Sequence, residues 1–316
     1  MNKLALLFLF VTISATAQPF KPEIAFTVAE KDLIPEGIAY DSREKAFYLS
    51  SIYKKKIVRI SAKGEVRDFI ASAADGVEEV LGMKVDQNGL LWACNNTPEH
   101  DTMRRISNVH VYDTRNRSLY KRFQVTDGRP HLFNDLYITK AGDVYITDTQ
   151  AGMLWVIRKG GNDIEAFTKP GSLAFPNGIT ATEDESKILV ATGSALGVVS
   201  IDMASRSINP LRNDRYLIIG LDGLYRHKHS LIGVQNTTFP EAIISMTMTP
   251  GGNGLGTVAF IAHGHPAMDT PTTGVIVGDE FYFIANSQLL QIMGTGGKIK
   301  DVEKLNESVI MKIKLE

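Results

Sequence analysis

Residues 133–149 read FNDLYITKAGDVYITDT, two runs of alternating apolar and polar residues on either side of the turn KAGD. Alternation with a period of two predicts a pair of β-strands, and the Gly-Asp turn is typical of a tight hairpin. The same arrangement occurs five more times, so we predict six hairpins along the chain. The first strands of the other five begin PEGIAYD at Pro35, VLGMKVD at Val80, PNGITAT at Pro176, LDGLYRH at Leu221 and TTGVIVG at Thr272.

Each first strand has a small or turn-forming residue, usually Gly, and the residue just before it gives the repeat a fixed reference position. These positions, called the anchors below, are Glu36, Leu81, Asn134, Asn177, Asp222 and Thr273. Successive anchors lie 45, 53, 43, 45 and 51 residues apart. That spacing fits one four-stranded propeller blade per repeat. We therefore predict an all-β fold, a six-bladed β-propeller with four-stranded antiparallel blades.

The two ends of the chain are expected to share one blade. The strand-like segments PEIAFTVAE near the start and SVIMKIKLE at the end are the candidates, and their pairing would close the ring and remove an exposed sheet edge. Before them, Lys3, a short apolar run and the sequence Ala15-Thr16-Ala17 are typical of a signal peptide. We predict a signal peptide at residues 1–17 and a single propeller domain at residues 18–316, exported to the periplasm or secreted.

The composition excludes several classes of partner. The net charge of −1 argues against a nucleic-acid partner, because binding phosphates requires a basic face. No apolar segment after the predicted signal peptide is long enough to span a membrane, so none is expected in the mature chain. Cys94 is the single cysteine, so no internal disulfide forms. The composition leaves a small-molecule substrate open as a partner.

Four of the six anchors carry side-chain oxygens. In a propeller, residues at the start of the inner strands converge at one end of the central tunnel. Two carboxylates and two amides form an all-oxygen set that suits a hard cation, calcium first and magnesium second, with manganese and zinc as alternatives. The predicted metal ligands are Glu36, Asn134, Asn177 and Asp222. The alternative is that Asn and Asp beside Gly simply form turns.

The chain resembles the senescence marker protein/gluconolactonase family in four segments. These are PEGIAYD, NDLYITKAGDVYITDT, FPNGITATEDESKILVATG and LDGLYRHKHSLIGVQN. The resemblance implies a six-bladed propeller with one metal at the tunnel mouth. It places the family's ligands on the same four anchors, and the paraoxonases and diisopropyl fluorophosphatase share that plan. Leu132 stands where sugar lactonases of the family have Arg, and VATGSALGVV departs from the family pattern, which implies a substrate less polar than gluconolactone.

The function that the resemblance implies is metal-dependent hydrolysis of a lactone or a related ester. Candidate catalytic residues are Asp222, as ligand, and Asp135, His131 and His265, as groups that could activate a water. The sequence contains no G-x-S-x-G, HExxH or phosphate-loop motif. Two alternatives are an exported propeller that binds a ligand or partner around a structural metal, and a condensing propeller, in which the four ligands would have no purpose.

Overall fold

The computed structural model describes residues 21–98 and 106–316, so the predicted signal peptide lies outside the described residues. Within these ranges 24 strands form six antiparallel sheets of four strands each. Helix is limited there to four short 3-10 turns, at Lys31–Leu33, Ala74–Gly76, Leu289–Gln291 and Val302–Lys304. The predicted six-bladed β-propeller is confirmed.

The strands follow the predicted hairpins closely. Strand β1 (Glu23–Val28) belongs to the last blade, and the other blades use consecutive strands. Blades one to three are β2 (Ile38–Asp41), β3 (Ala46–Ser51), β4 (Lys56–Ser61), β5 (Val66–Ile70); β6 (Glu79–Val85), β7 (Leu90–Asn96), β8 (Ser107–Asp113), β9 (Ser118–Gln124); and β10 (Phe133–Ile138), β11 (Val144–Asp148), β12 (Met153–Ile157), β13 (Glu165–Ala166). Blades four to six are β14 (Pro176–Ala181), β15 (Lys187–Thr192), β16 (Val198–Asp202), β17 (Ile208–Pro210); β18 (Leu221–His227), β19 (Ser230–Gln235), β20 (Ala242–Met248), β21 (Leu255–His263); and β22 (Gly274–Val277), β23 (Glu280–Ile284), β24 (Ser308–Lys314), followed by β1.

The sixth blade is shared between the two chain ends. Strand β1 pairs antiparallel with β24, with Val28 opposite Ser308 and Thr27 opposite Val309. The predicted pairing of the two terminal segments is therefore confirmed. It completes a four-stranded blade that would otherwise expose the edge of β24.

The hydrophobic core consists of six apolar layers, one between each pair of neighbouring blades. Between blades one and two, for example, Tyr48 and Tyr112 are fully buried and both pack against Phe69. Burial on both faces explains why the middle strands read as nearly continuous apolar runs. The layers hold each blade between its two neighbours, so the ring is stabilised around its whole circumference.

The glycine after an anchor lets neighbouring inner strands approach each other. A Cβ on Gly37 would lie 2.1 Å from the carbonyl oxygen of Leu81 in the next blade. A Cβ on Gly178 would lie 2.4 Å from the carbonyl oxygen of Asp222. Real Cβ atoms are not found so close to a carbonyl oxygen. Only glycine at these positions allows the inner strands, and with them successive anchors, to lie this close together.

Two further sequence features can be located. The thiol of Cys94 is free and buried in β7. None of the helices in the described part of the chain is long and apolar enough to cross a membrane.

Candidate metal centre

Four side-chain oxygen atoms at the anchor positions of four different blades are buried without a hydrogen-bond partner. They are Glu36 Oε2, Asn134 Oδ1, Asn177 Oδ1 and Asp222 Oδ1, and they come from the four predicted metal ligands. Glu36, Asn134 and Asp222 are at most 7% exposed, while Asn177 is half-buried. Buried polar atoms are nearly always paired in folded proteins, so four unpaired acceptors at one phase of the repeat require an explanation. We call these four residues the acceptor ring.

Burial and nearby charges shift the pKa of both carboxyl groups of the acceptor ring. The Asp222 carboxylate accepts a hydrogen bond from Asn236 Nδ2 through Oδ2, and the nearby Asn177 amide also favours its charged form. Burial nevertheless raises the pKa of Asp222 to about 7, with Asp135 adding to the effect and the two amides opposing it. The pKa of Glu36 is also raised, first by burial and then by the charges of Asp222 and Asp135. Both carboxylates of the ring therefore lie in surroundings that favour their neutral forms.

The two anchors without a carboxylate or amide have supporting roles. The Thr273 hydroxyl donates to the carbonyl oxygen of Glu36 over 2.6 Å, and the Thr272 hydroxyl donates to the same oxygen over 3.0 Å. Leu81 is buried in the apolar layer between blades two and three. Blade six therefore fixes the backbone of one ring residue, and blade two contributes only packing at this position.

Asp135, the residue after Asn134, is fully buried and ion-paired. Its Oδ1 accepts from Lys84 Nζ and from the backbone N–H of Leu136, each over 2.8 Å, while Oδ2 has no partner. The Lys84 ammonium also lies 5.6 Å from the centre of the Tyr225 ring, which belongs to blade five. Lys84 therefore links blades two, three and five next to the acceptor ring, and its charge lowers the pKa of Glu36.

Sequence reasoning did not identify Lys84, although a signal was available. Lys84 is the third residue after its anchor, and the equivalent positions in the other blades are uncharged: Ala39, Tyr137, Thr180, Tyr225 and Ile276. A lysine in an innermost strand breaks the repeat, and buried lysines are rare unless paired. Asn236, the partner of Asp222, was also missed, because it follows the second strand of its blade rather than the first.

His131 lies between two carboxylates. Its Nδ1 is 2.6 Å from Asp148 Oδ2 and its Nε2 is 2.8 Å from Asp127 Oδ1. Burial opposes protonation of the imidazole, but the two carboxylates outweigh it and raise the pKa of His131. Both ring nitrogens are thus engaged, and the imidazole has no free nitrogen with which to contact a water. His131 and Asp148 hold the segment that precedes Asn134, since Asp148 also accepts from the N–H of Leu132.

His265 lies in the loop between β21 and β22 and is half-buried. Its Nδ1 accepts a hydrogen bond from the N–H of Ala267 over 3.1 Å. This bond leaves Nε2 as the nitrogen that could contact another group. No hydrogen bond or ion pair joins His265 to the acceptor ring among the described residues. Asp135, in contrast, follows Asn134 in the chain, and its charge acts on Glu36 and Asp222.

The acceptor ring fits a hard divalent cation. Carboxylate and amide oxygens are the ligands that calcium prefers, and two carboxylates would balance its charge. Among the described residues, no group of three or more His, Cys, Asp or Glu side chains is arranged to hold a metal ion, so the two amides are an essential part of any such site. The unpaired acceptors on Asn134 and Asn177 supply that part.

Comparison with solved structures shows the same architecture in proteins of different activities. A gluconolactonase from Xanthomonas campestris is 12% identical, with a TM-score of 0.63 over 93% of this chain and 88% of that one. The PQQ-bound aldose sugar dehydrogenase from Streptomyces coelicolor is 12% identical, with a TM-score of 0.65 over 94% and 99%. Virginiamycin B lyase from Staphylococcus aureus is 14% identical, with a TM-score of 0.63 over 94% and 100%. At such identities the likeness establishes the fold alone.

Sequence comparison is more specific than the structural likeness. No curated protein matches the chain. The family model described as SMP-30/Gluconolactonase/LRE-like region matches residues 34–218, more than half of the chain. The matched part includes the first four anchors and so three of the four ring residues. The chain belongs to the SMP-30/gluconolactonase/LRE-like family.

Proposed function

We propose that this protein is a divalent-metal-dependent hydrolase of a lactone or a related ester, with calcium as the favoured metal. The observation that carries the proposal is the set of four buried, unpaired oxygen acceptors on four blades. Membership of a family named for gluconolactonase supports hydrolysis of a cyclic ester. The product would be a hydroxy acid.

Glu36, Asn134, Asn177 and Asp222 would hold the cation through their unpaired oxygens. A divalent cation at this place supplies Lewis-acid polarisation of the ester carbonyl. Asn177 is the most exposed of the four, so we place the substrate on its side of the ring.

The chain's own residues orient the ring for attack by water. Asn236 donates to Asp222 Oδ2, so Oδ1 stays free to hold the cation and Asp222 acts as a ligand. The water oxygen bonds to the carbonyl carbon, the ring C–O bond breaks, and the proton passes to the leaving alkoxide. Asp135 is committed to Lys84, so we assign it a positioning role beside Asn134.

Calorimetry tests the metal site and a substrate panel tests the activity. The protein is stripped with a chelator and titrated with calcium, and we expect one ion to bind per chain. Asp222→Ala and Asn177→Ala should lose that binding and all lactone hydrolysis. Asp41→Asn, which changes a buried carboxylate at the other end of an inner strand, should keep both. Full hydrolysis by Asp222→Ala would refute the mechanism, and no binding of calcium, magnesium, manganese or zinc would refute the site.

The second candidate is a propeller that binds a ligand around a structural metal without turnover. It is favoured by one observation, the complete engagement of His131, which removes one predicted base. Binding of calcium with no hydrolysis of any lactone or ester would select this candidate.

A further inference from the structure

Five aliphatic or phenylalanine side chains are exposed on the loops of blades four and five, at the end where the inner strands begin. They are Phe175 (68% exposed), Leu196 (49%), Leu217 (70%), Ile219 (38%) and Phe239 (102%). Phe175, Leu217 and Ile219 precede inner strands, while the other two lie in the turns after β15 and β19. In an antiparallel blade these loops share one end with the anchors. We call these five residues the apolar rim.

Contacts between the loops make the apolar rim continuous. The N–H of Gly193 donates to the carbonyl oxygen of Phe175 over 3.1 Å, which ties the Leu196 turn to the Phe175 loop. At the other end of that turn, a Cβ on Gly197 would lie only 2.2 Å from the carbonyl oxygen of Ile218. The VATGSALGVV departure noted in the sequence therefore provides the two glycines that join these loops.

The second half of the rim is tied to blade five in the same way. Gln235 Nε2 donates to the carbonyl oxygen of Ile219 over 2.7 Å, and the N–H of Asn236 donates to that of Gly220 over 3.1 Å. These bonds place the Phe239 turn beside the loop that leads to Asp222. The rim therefore runs from the ligand of blade four to the ligand of blade five.

Phe175 has a strained backbone conformation, and its exposed side chain gains little packing that could offset the strain. Its φ is +48°, in the left-handed region that bulky residues avoid. Two equivalent positions, each two residues before an anchor, also have positive φ. Gly220 occupies one without strain, and Ile34 occupies the other but is fully buried. Phe175 has neither advantage, and strained residues of this kind cluster at ligand sites.

The loops of blades one and three at the same end are polar. Lys54 forms an ion pair with Asp32 over 2.7 Å, and the loop before β10 carries exposed Asp127 and Arg129. The entrance to the acceptor ring is thus apolar at blades four and five and charged at blades one and three. Asn177, the accessible ring member, lies on the apolar side, two residues after Phe175.

We propose that the apolar rim binds an aliphatic chain attached to the lactone or ester whose carbonyl lies at the acceptor ring. This inference rests on the proposed function and specifies its substrate class: alkyl- or acyl-substituted lactones rather than free sugar lactones. The occupant is a substrate chain because the rim begins within three residues of two ring members, at Phe175 and Ile219. Apolar patches of this kind mark binding sites on otherwise polar surfaces.

The test is a series of γ-lactones with alkyl substituents from methyl to octyl, each used below its solubility limit. We expect kcat/KM to rise by roughly two- to fourfold per methylene, the range between half and full burial of that group. The triple variant Phe175→Asn, Leu217→Ser, Phe239→Ser should flatten the rise, since Asn tolerates positive φ and all three positions are exposed. Tyr120→Ser is the matched control, because Tyr120 is 66% exposed on the outermost strand of blade two.

The outcomes separate this inference from the function beneath it. A rise with chain length in the native protein and the control, lost in the triple variant, supports the inference. Hydrolysis without dependence on chain length overturns it and leaves the hydrolase proposal intact. Calcium binding with no hydrolysis at any length overturns the proposed function instead. Sedimentation with phosphatidylcholine vesicles that the triple variant loses, together with a flat series, would assign the rim to a lipid surface and overturn the inference.

Discussion

Replacing Lys84 by Met should destabilise the protein far more than changing its partner Asp135. The Lys84→Met change leaves a carboxylate that is 0% exposed with one backbone N–H as its remaining donor, because Lys84 Nζ at 2.8 Å is its charged partner. Breaking a buried pair in this way costs about 3–5 kcal/mol. In Asp135→Asn the amide oxygen still accepts from Lys84, whose side chain keeps 22% exposure, so we expect a loss of about 1 kcal/mol.

Urea unfolding in the presence of a chelator measures both effects without a contribution from bound metal. The double variant Lys84→Met, Asp135→Leu provides the control, because replacing both partners by apolar groups is often neutral. We expect it to recover most of the stability that Lys84→Met loses. A loss below about 1 kcal/mol in Lys84→Met would show that Asp135 does not depend on this ammonium, and our account of the network would be wrong.

Three further predictions concern pH, metal and packing. Because its carboxylate partners raise the pKa of His131, its stabilising charge is fully present below the unfolded pKa of about 6.5 and is lost as pH rises through the higher folded value. His131→Gln should flatten that part of the profile, measured as urea midpoints from pH 6 upward. Calcium at about 100 times its Kd should stabilise the chelator-stripped protein by about 2.7 kcal/mol in thermal or urea unfolding, and an unchanged midpoint would contradict the site. Gly178→Ala should cost about 3 kcal/mol or more and abolish calcium binding, because its Cβ would meet the Asp222 carbonyl. Gly254→Ala, whose Cβ would meet nothing closer than 3.4 Å, should behave like the native protein.

The propeller was predictable because all six blades place the same physical requirements on the sequence. Each blade must present a period-two pattern and allow close approach after its anchor, so the same signal occurs six times at one phase. The pairing of β1 with β24 was predictable for a related reason, since an unclosed ring leaves a sheet edge and the two ends alone had unassigned strand patterns.

The environment of the acceptor ring was less predictable, because its partners come from different phases of the repeat. Lys84 reaches Asp135 from 51 residues away, and Asp148 binds His131 from a different strand of its blade. A sequence shows that His131 is near Asn134, but only the fold shows that both of its nitrogens are engaged. The apolar rim likewise depends on which loop residues stay exposed in the folded protein. The alternation of apolar and polar residues in the strands carries no information about that.

The pairing of β1 with β24 has a consequence for the order of assembly during synthesis. The ribosome makes β1 before the strands of blades one to five and its partner β24 after them, so the ring cannot close until all six blades have been made. The Glu36 carbonyl likewise cannot accept its hydrogen bonds from the hydroxyls of Thr272 and Thr273 until blade six has been made. A chain that lacks blade six therefore lacks the contacts that fix Glu36 in the acceptor ring, and we expect the proposed affinity for metal only once that blade has formed.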